Sequence, residues 1–310
     1  MIRPKALKKG DTIGLISASG ATPLEKFLPA VKSIEKLGFN VVAGETCRAR
    51  HGYLAGSDEL RACEVNQMFS DSNIDGIFCI RGGYGAMKIL PLLDFEMIKA
   101  NPKVFAGYSD VTALHIAFNQ QCGFVTYHTP MPSTEFIRQE MDEYTWNSFI
   151  EIVTATERTD YYLKNPPGRT MTTLADGKAT GQLIGGNLTL VTASLGTPYE
   201  IDTRGKILFL EDIDESEQRV DRMLTQLKLA GKLDGVTGIL LGAWTNCGPE
   251  NPKHPEHSLS LQTIFQEILG PLNIPIIKDI TCGHCLPTMS LPLGRTITMD
   301  TENQMIKVIE

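Results

Sequence analysis

The sequence predicts an α/β fold built on an open parallel sheet, and three observations carry that reading. Short apolar runs recur through the first half, at residues 11–19, 41–43, 75–80, 104–106 and 124–127. Segments with helical periodicity lie between them, at 24–37, 57–69 and 86–93 and from Val111 onward. Several of the runs lead directly into loops of small residues. Strands alternating with helices at this spacing imply βαβ units, which collect their ligands at the carboxyl ends of the strands.

Taken in order, residues 11–19 (DTIGLISAS) read as a buried strand ending in Ser17-Ala18-Ser19-Gly20. An amphipathic helix over 24–37 follows and stops at Gly38. Ser57 and Asp58 open the next helix. DGIFCI at 75–80 is a third strand, followed by Arg81-Gly82-Gly83-Tyr84-Gly85 and a helix. Residues 104–106 form a fourth strand, with Gly107-Tyr108-Ser109-Asp110 leading into another helix, and 124–127 a fifth. Residues 155–172 read as a linker, because Pro166-Pro167-Gly168 interrupts any regular element. The boundary is therefore set near 165, giving domains 1–165 and 166–310. Beyond it, 181–186 (GQLIGG) leads into a helix from Asn187, and KILFL at 206–210 is a strand ending in Glu211-Asp212. A helix over 217–230 shows Val220, Met223, Leu224 and Leu227 on one face. Strands at 236–242 and 274–277 and a hairpin over 295–309 complete the chain.

The composition limits the function classes. With 310 residues, 42% hydrophobic and 21% charged, the chain reads as a soluble globular protein. A formal charge of −7 offers no basic face for phosphate backbones, so no nucleic-acid partner is expected. No apolar run approaches the ~20 residues of a membrane span or the core of a signal peptide, so the expectation is a cytoplasmic protein without a membrane partner. Seven scattered cysteines read as reduced thiols. Cys282-Gly283-His284-Cys285 lacks the context of a redox motif and the two further ligands of a zinc site. Cys247, His254 and His257 are its only loose candidates, so neither metal nor cofactor is expected.

Ser109 is the focus of the chemistry. A strand that turns abruptly into a helix exposes the turn residue beside free helix N–H groups, the setting of an activated serine. Gly107 and Ser109 match the start of a G-x-S-x-G elbow, but Ala113 and Thr112 follow with no second glycine, and a plain helix cap competes as an explanation. The loop 81–85 fits neither the dinucleotide nor the P-loop fingerprint. Its bare amides could instead complete an oxyanion hole opposite Ser109. A serine needs a base and the base a carboxylate. Among six histidines, His51, His254 and His257 lie in polar loops and His115 points along its helix, which leaves His128 and His284 as rivals. Glu211 ends a strand as the orienting acid should, with Asp212 its rival.

Gly107-Tyr108-Ser109-Asp110 with Thr112, the loop 81–85, Ile184-Gly185-Gly186-Asn187-Leu188, Phe209-Leu210-Glu211-Asp212, Gly283-His284 and Leu291-Pro292-Leu293-Gly294 together resemble the LD-carboxypeptidase family, in order along essentially the whole chain. The resemblance implies a flavodoxin-like N-terminal domain and a smaller β-rich α/β C-terminal domain with the site at their interface, in a homodimer. It implies a triad of Ser109 as nucleophile, His284 as base and Glu211 as its orienting acid, with an oxyanion hole from the amides of Gly83 and Asp110. The implied reaction is removal of the C-terminal D-alanine from a murein tetrapeptide, a small peptide substrate of cell-wall recycling. Arg81, Tyr84 and Tyr108 are expected substrate contacts, and Arg81, Arg204 and Arg295 are all open as grips for the terminal carboxylate. Two other readings compete: a microcin-immunity-type peptidase acting on peptide–nucleotide antibiotics, and a noncatalytic binder of small anions at 81–85 and the helix after Ser109. The loop 81–85 resembles the cell-wall branch more closely.

Overall fold

A computed structural model describes residues 1–139 and 141–309. Chain contacts divide it into two units, 1–158 with 290–294, and 159–289 with 295–310. The sequence places the boundary near 165; the segment Ser290–Gly294, which returns to the first unit, carries no local signal of doing so.

The first unit runs β1 (Thr12–Ile16), α1 (Leu24–Glu35), β2 (Asn40–Ala43), α2 (Asp58–Ser70), β3 (Gly76–Cys79), α3 (Ala86–Ile89), α4 (Phe95–Ala100), β4 (Val104–Gly107), α5 (Thr112–Ala117), β5 (Thr126–His128) and α6 (Glu143–Thr154). The strands pair in parallel in the order β2-β1-β3-β4-β5, the flavodoxin-like order. Strands β3 and β4 are buried along their whole length, which explains their continuous apolar runs. Helices start where the sequence offers a cap: the Ser57 hydroxyl accepts the Leu60 N–H at 3.2 Å, and Asp142 that of Thr145 at 2.8 Å. Leu15, Ile34, Phe78, Val125, Tyr127 and Phe149 belong to one buried cluster joining sheet and helices.

The second unit begins inside the expected linker. β6 (Tyr161–Leu163) falls within 155–172, and β7 (Thr172–Ala175) starts at its last residue. Then come β8 (Lys178–Asn187), α7 (Leu188–Ala193), β9 (Lys206–Ile213), α8 (Glu217–Leu229), β10 (Gly238–Thr245), α9 (Leu261–Ile268) and β11 (Ile276–Lys278). β12 (Leu291–Leu293) pairs antiparallel with β5 and so extends the first sheet; β13 (Thr296–Asp300) and β14 (Met305–Val308) form the terminal hairpin. The second sheet has the order β6-β14-β13-β8-β9-β10-β11-β7, parallel from β8 to β11 and antiparallel outside that core. The face of α8 read from the sequence, Val220, Met223, Leu224 and Leu227, is its buried face. β6 eludes sequence reading because three residues beside a Pro-Pro-Gly acquire a strand only through pairing with β14. Among the described residues no helix is long and apolar enough to cross a membrane.

Candidate functional site

Strands β1, β3 and β4 are adjacent and parallel, so the loops that follow them, at 17–20, 81–85 and 108–110, share one sheet edge. β4 ends at Gly107, Tyr108 is extended, and Ser109 turns the chain with φ of +67° into a short 3-10 turn and α5. The other non-glycine residues with positive φ among those described are Asp, Asn or Gln; Ser109 is the exception. A serine there costs on the order of 1–3 kcal/mol, so the surroundings must impose the conformation. Gly82 fits against it: a Cβ on Gly82 would stand 2.8 Å from the Cβ of Ser109 and 3.0 Å from its Oγ. Beneath the turn, His115 Nε2 donates to the Gly107 carbonyl at 2.9 Å. That ring is fully buried, its Nδ1 has no partner among the described residues, and burial pushes its pKa down to about 4. His115 is thus a neutral support of the turn.

The glycine loop is held by two charged groups. Arg61, fully buried on α2, donates from Nη1 to Ala18 O at 2.6 Å and to Gly85 O at 2.8 Å, and pairs through Nη2 with Asp58. One guanidinium therefore joins the loop after β1 to the loop after β3. Asp110, 1% exposed, accepts the Ala86 N–H at 2.8 Å, and burial raises its pKa. Sequence reading missed Arg61. Its signal is positional: Arg61, Val65 and Phe69 lie four residues apart along α2 and are all buried, so an arginine occupies a core stripe.

In the second unit, Glu211 lies within β9, fully buried, one residue from Asp212. The pleat sends these neighbours to opposite faces. Asp212 turns toward α7, accepting from Asn187 Nδ2 (2.8 Å) and from the backbone and hydroxyl of Thr189 (2.9 Å each). Glu211 Oε2 accepts from His284 Nδ1 at 2.7 Å and from the His284 backbone N–H at 3.2 Å. A carboxylate only accepts, so Nδ1 carries the proton and Nε2 is left as the basic nitrogen. The loop bearing His284 is laid across β10 by the Ala243 N–H to Cys282 carbonyl bond (2.8 Å) and by the Thr245 hydroxyl donating to the His284 carbonyl (2.6 Å). Gly283, with φ of +110°, permits the approach, since a Cβ there would meet Glu211 Oε2 at 2.5 Å.

The remaining sequence candidates fall elsewhere. His128 is buried at the end of β5 against the ring of Tyr108, whose hydroxyl donates to the buried Glu135 at 2.9 Å. Tyr84 is exposed on the glycine loop, edge-on to Tyr53. His51 is exposed beside Leu54. Exposed His254 and His257 stack on each other with Glu256 between their nitrogens. Cys282 and Cys285 are not joined to each other; their thiols are directed at different carbonyls, those of Met289 and Pro287.

A strained serine at a strand–helix turn and a buried carboxylate–imidazole pair are groups of the kind that acyl-transfer hydrolases use. The chain belongs to the LD-carboxypeptidase family. The N-terminal domain of that family matches residues 13–129 and its C-terminal domain residues 180–299. The probable murein peptide carboxypeptidase of Bacillus subtilis strain 168 is 41% identical, over 96% of this chain and 92% of that protein. The structure of the microcin C7 self-immunity protein MccF in complex with glutamyl sulfamoyl guanosine superposes with a TM-score of 0.89 at 29% identity, covering 100% of this chain and 99% of that one. A muramoyltetrapeptide carboxypeptidase from Oxalobacter formigenes superposes with a TM-score of 0.83 at 26% identity, covering 96% and 97%.

Proposed function

We propose that the protein is a serine carboxypeptidase that removes the C-terminal D-alanine of murein tetrapeptides. The observation that carries the reading is the 2.7 Å pair of Glu211 and His284, which fixes the imidazole as a base. Ser109, half-buried at a turn only an imposed conformation allows, is the nucleophile. His284 Nε2 takes the hydroxyl proton as Ser109 Oγ attacks the scissile carbonyl, then returns it to the leaving amine. Glu211 stabilises the imidazolium formed between those events. The amides of Gly83 and Asp110 hold the oxyanion, the first on the loop that Arg61 fastens and the second in the turn itself. Water then releases the acyl group by the reverse sequence. By family the enzyme acts in the cytoplasm as a homodimer on a small peptide substrate, with no metal or cofactor in any step.

A second reading has its own support in the structural likeness to MccF, which would make the substrate an aminoacyl-nucleotide antibiotic. The higher identity to the murein peptidase favours the first. Incubation with a murein tetrapeptide and with an aminoacyl sulfamoyl adenosine, read by mass spectrometry, separates them. Loss of one alanine supports the carboxypeptidase, and release of the adenosine moiety the alternative. Ser109→Ala abolishes turnover with the fold intact; a variant that still turns over removes Ser109 from the mechanism.

A further inference from the structure

An exopeptidase must recognise the free end of its substrate, and that requirement points to a cation close to the nucleophile. The terminal carboxylate sits on the residue whose nitrogen leaves, so it lies no more than about one residue's length, roughly 3.8 Å, beyond the scissile carbonyl. Arg81 is the arginine on the loop that packs against the nucleophile. Its neighbour Gly82 packs on Ser109, and its own Nη2 lies 3.7 Å from where a Cβ of Gly83 would be. The guanidinium is half-buried and fixed by two backbone acceptors, Nη1 to Ala21 O at 2.9 Å and Nε to Gly82 O at 3.2 Å. Both Nη2 protons remain unused, and among the described residues no carboxylate pairs with Arg81 or with the exposed Arg50 nearby. Burial and then the charge of Arg50 depress the Arg81 pKa. A cation held in this way lacks only an anion.

The two other arginines are poorly placed. Arg295 is 3% exposed. Arg204 precedes the start of β9, and Glu211 lies five residues into that strand, about 17 Å away at 3.3 Å per residue.

We propose that Arg81 is the site that binds the free C-terminal carboxylate of the peptide, and that this site restricts the enzyme to terminal residues. The inference rests on the peptidase reading above. Its test compares a murein tetrapeptide ending in D-alanine with the same peptide ending in D-alaninamide. The wild type favours the acid by about ten- to hundredfold in kcat/KM, the range of one charge-assisted hydrogen-bond pair. Arg81→Gln lowers the rate on the acid by that factor more than it lowers the rate on the amide or the rate of labelling by a neutral fluorophosphonate. Arg81→Lys recovers part of the preference. A preference that survives in Arg81→Gln overturns the assignment. So do equal losses on acid, amide and probe, which would mean that Arg81 only shapes the loop. Calorimetry on Ser109→Ala, with and without Arg81→Gln, reads the same preference as binding. If the wild type cleaves neither peptide but binds the acid more tightly through Arg81, the peptidase reading fails and the anchor stands; no preference in binding removes the anchor as well.

Discussion

Glu211→Gln gives the sharpest measure of the proposed chemistry. Glutamine keeps the volume of a fully buried side chain, and its carbonyl can accept the two N–H groups that Oε2 accepts now, at 2.7 and 3.2 Å. What it removes is the negative charge. With Oε2 at 2.7 Å from Nδ1, the centres of carboxylate and imidazolium are about 4 Å apart, an attraction of about 4 kcal/mol at an effective dielectric of ~20. The attraction exists only while His284 holds the serine's proton, so its loss falls on the transition state. At 1.36 kcal/mol per decade, kcat falls about 10³-fold with little change in KM. Among the described residues Oε1 has no partner, so the new amide is buried with unsatisfied donors and the fold loses roughly 1–2 kcal/mol. Release of D-alanine from the tetrapeptide provides the rate, and a thermal melt provides the fold. Asp212→Asn is the comparison: it weakens the bonds to Asn187 and Thr189, so the melt drops while kcat per folded molecule stays within tenfold. A well-folded Glu211→Gln enzyme within tenfold of wild type would refute the reasoning, and a 10³-fold loss in Asp212→Asn would reverse the roles of the two acids.

Two further predictions concern the turn. Ser109→Gly abolishes activity yet stabilises the protein by about 1 kcal/mol, because relief of a left-handed serine outweighs the added freedom of the unfolded chain; denaturant unfolding reads this, and a loss of stability contradicts the strain argument. For His115, the folded pKa of about 4 lies below the unfolded value near 6.5, so its contribution is intact above pH 6.5 and declines as pH falls toward 4. The shift amounts to about 3 kcal/mol, and the wild type loses that much more stability than His115→Gln between pH 7.5 and 4; parallel pH profiles would place the ring in water.

Local signals carried much of the fold because they are strong where they occur. Alternating apolar and helical runs give the parallel sheets, and Ser57 and Asn187 act as the caps their positions suggest. The turn at Ser109 is legible for the same reason: a strand, a glycine and a helix meet within a few residues. Short pieces were harder. α4, of six residues, gives no expectation in the sequence, and β12 is three residues with a central proline whose strand character comes from β5; the longer α6 and α9 give none either. The C-terminal end of β9 differs from the expectation, since Glu211 and Asp212 look like a strand's exit but continue it to Ile213.

Residue type and spacing narrowed the site to two histidines and two adjacent acids without choosing between them, and the choice of His284 with Glu211 came from family resemblance. Tertiary structure separated the acids, because the pleat directs Asp212 to the cap of α7 and Glu211 to an imidazole 73 residues away. It also revealed Arg61 as a fastening between two loops and Arg81 as a cation without an anion. The physical reason is range. Propensity, capping and periodicity act within a few residues and are written locally, whereas a hydrogen bond between distant segments depends on strand order and register, which only the folded chain fixes.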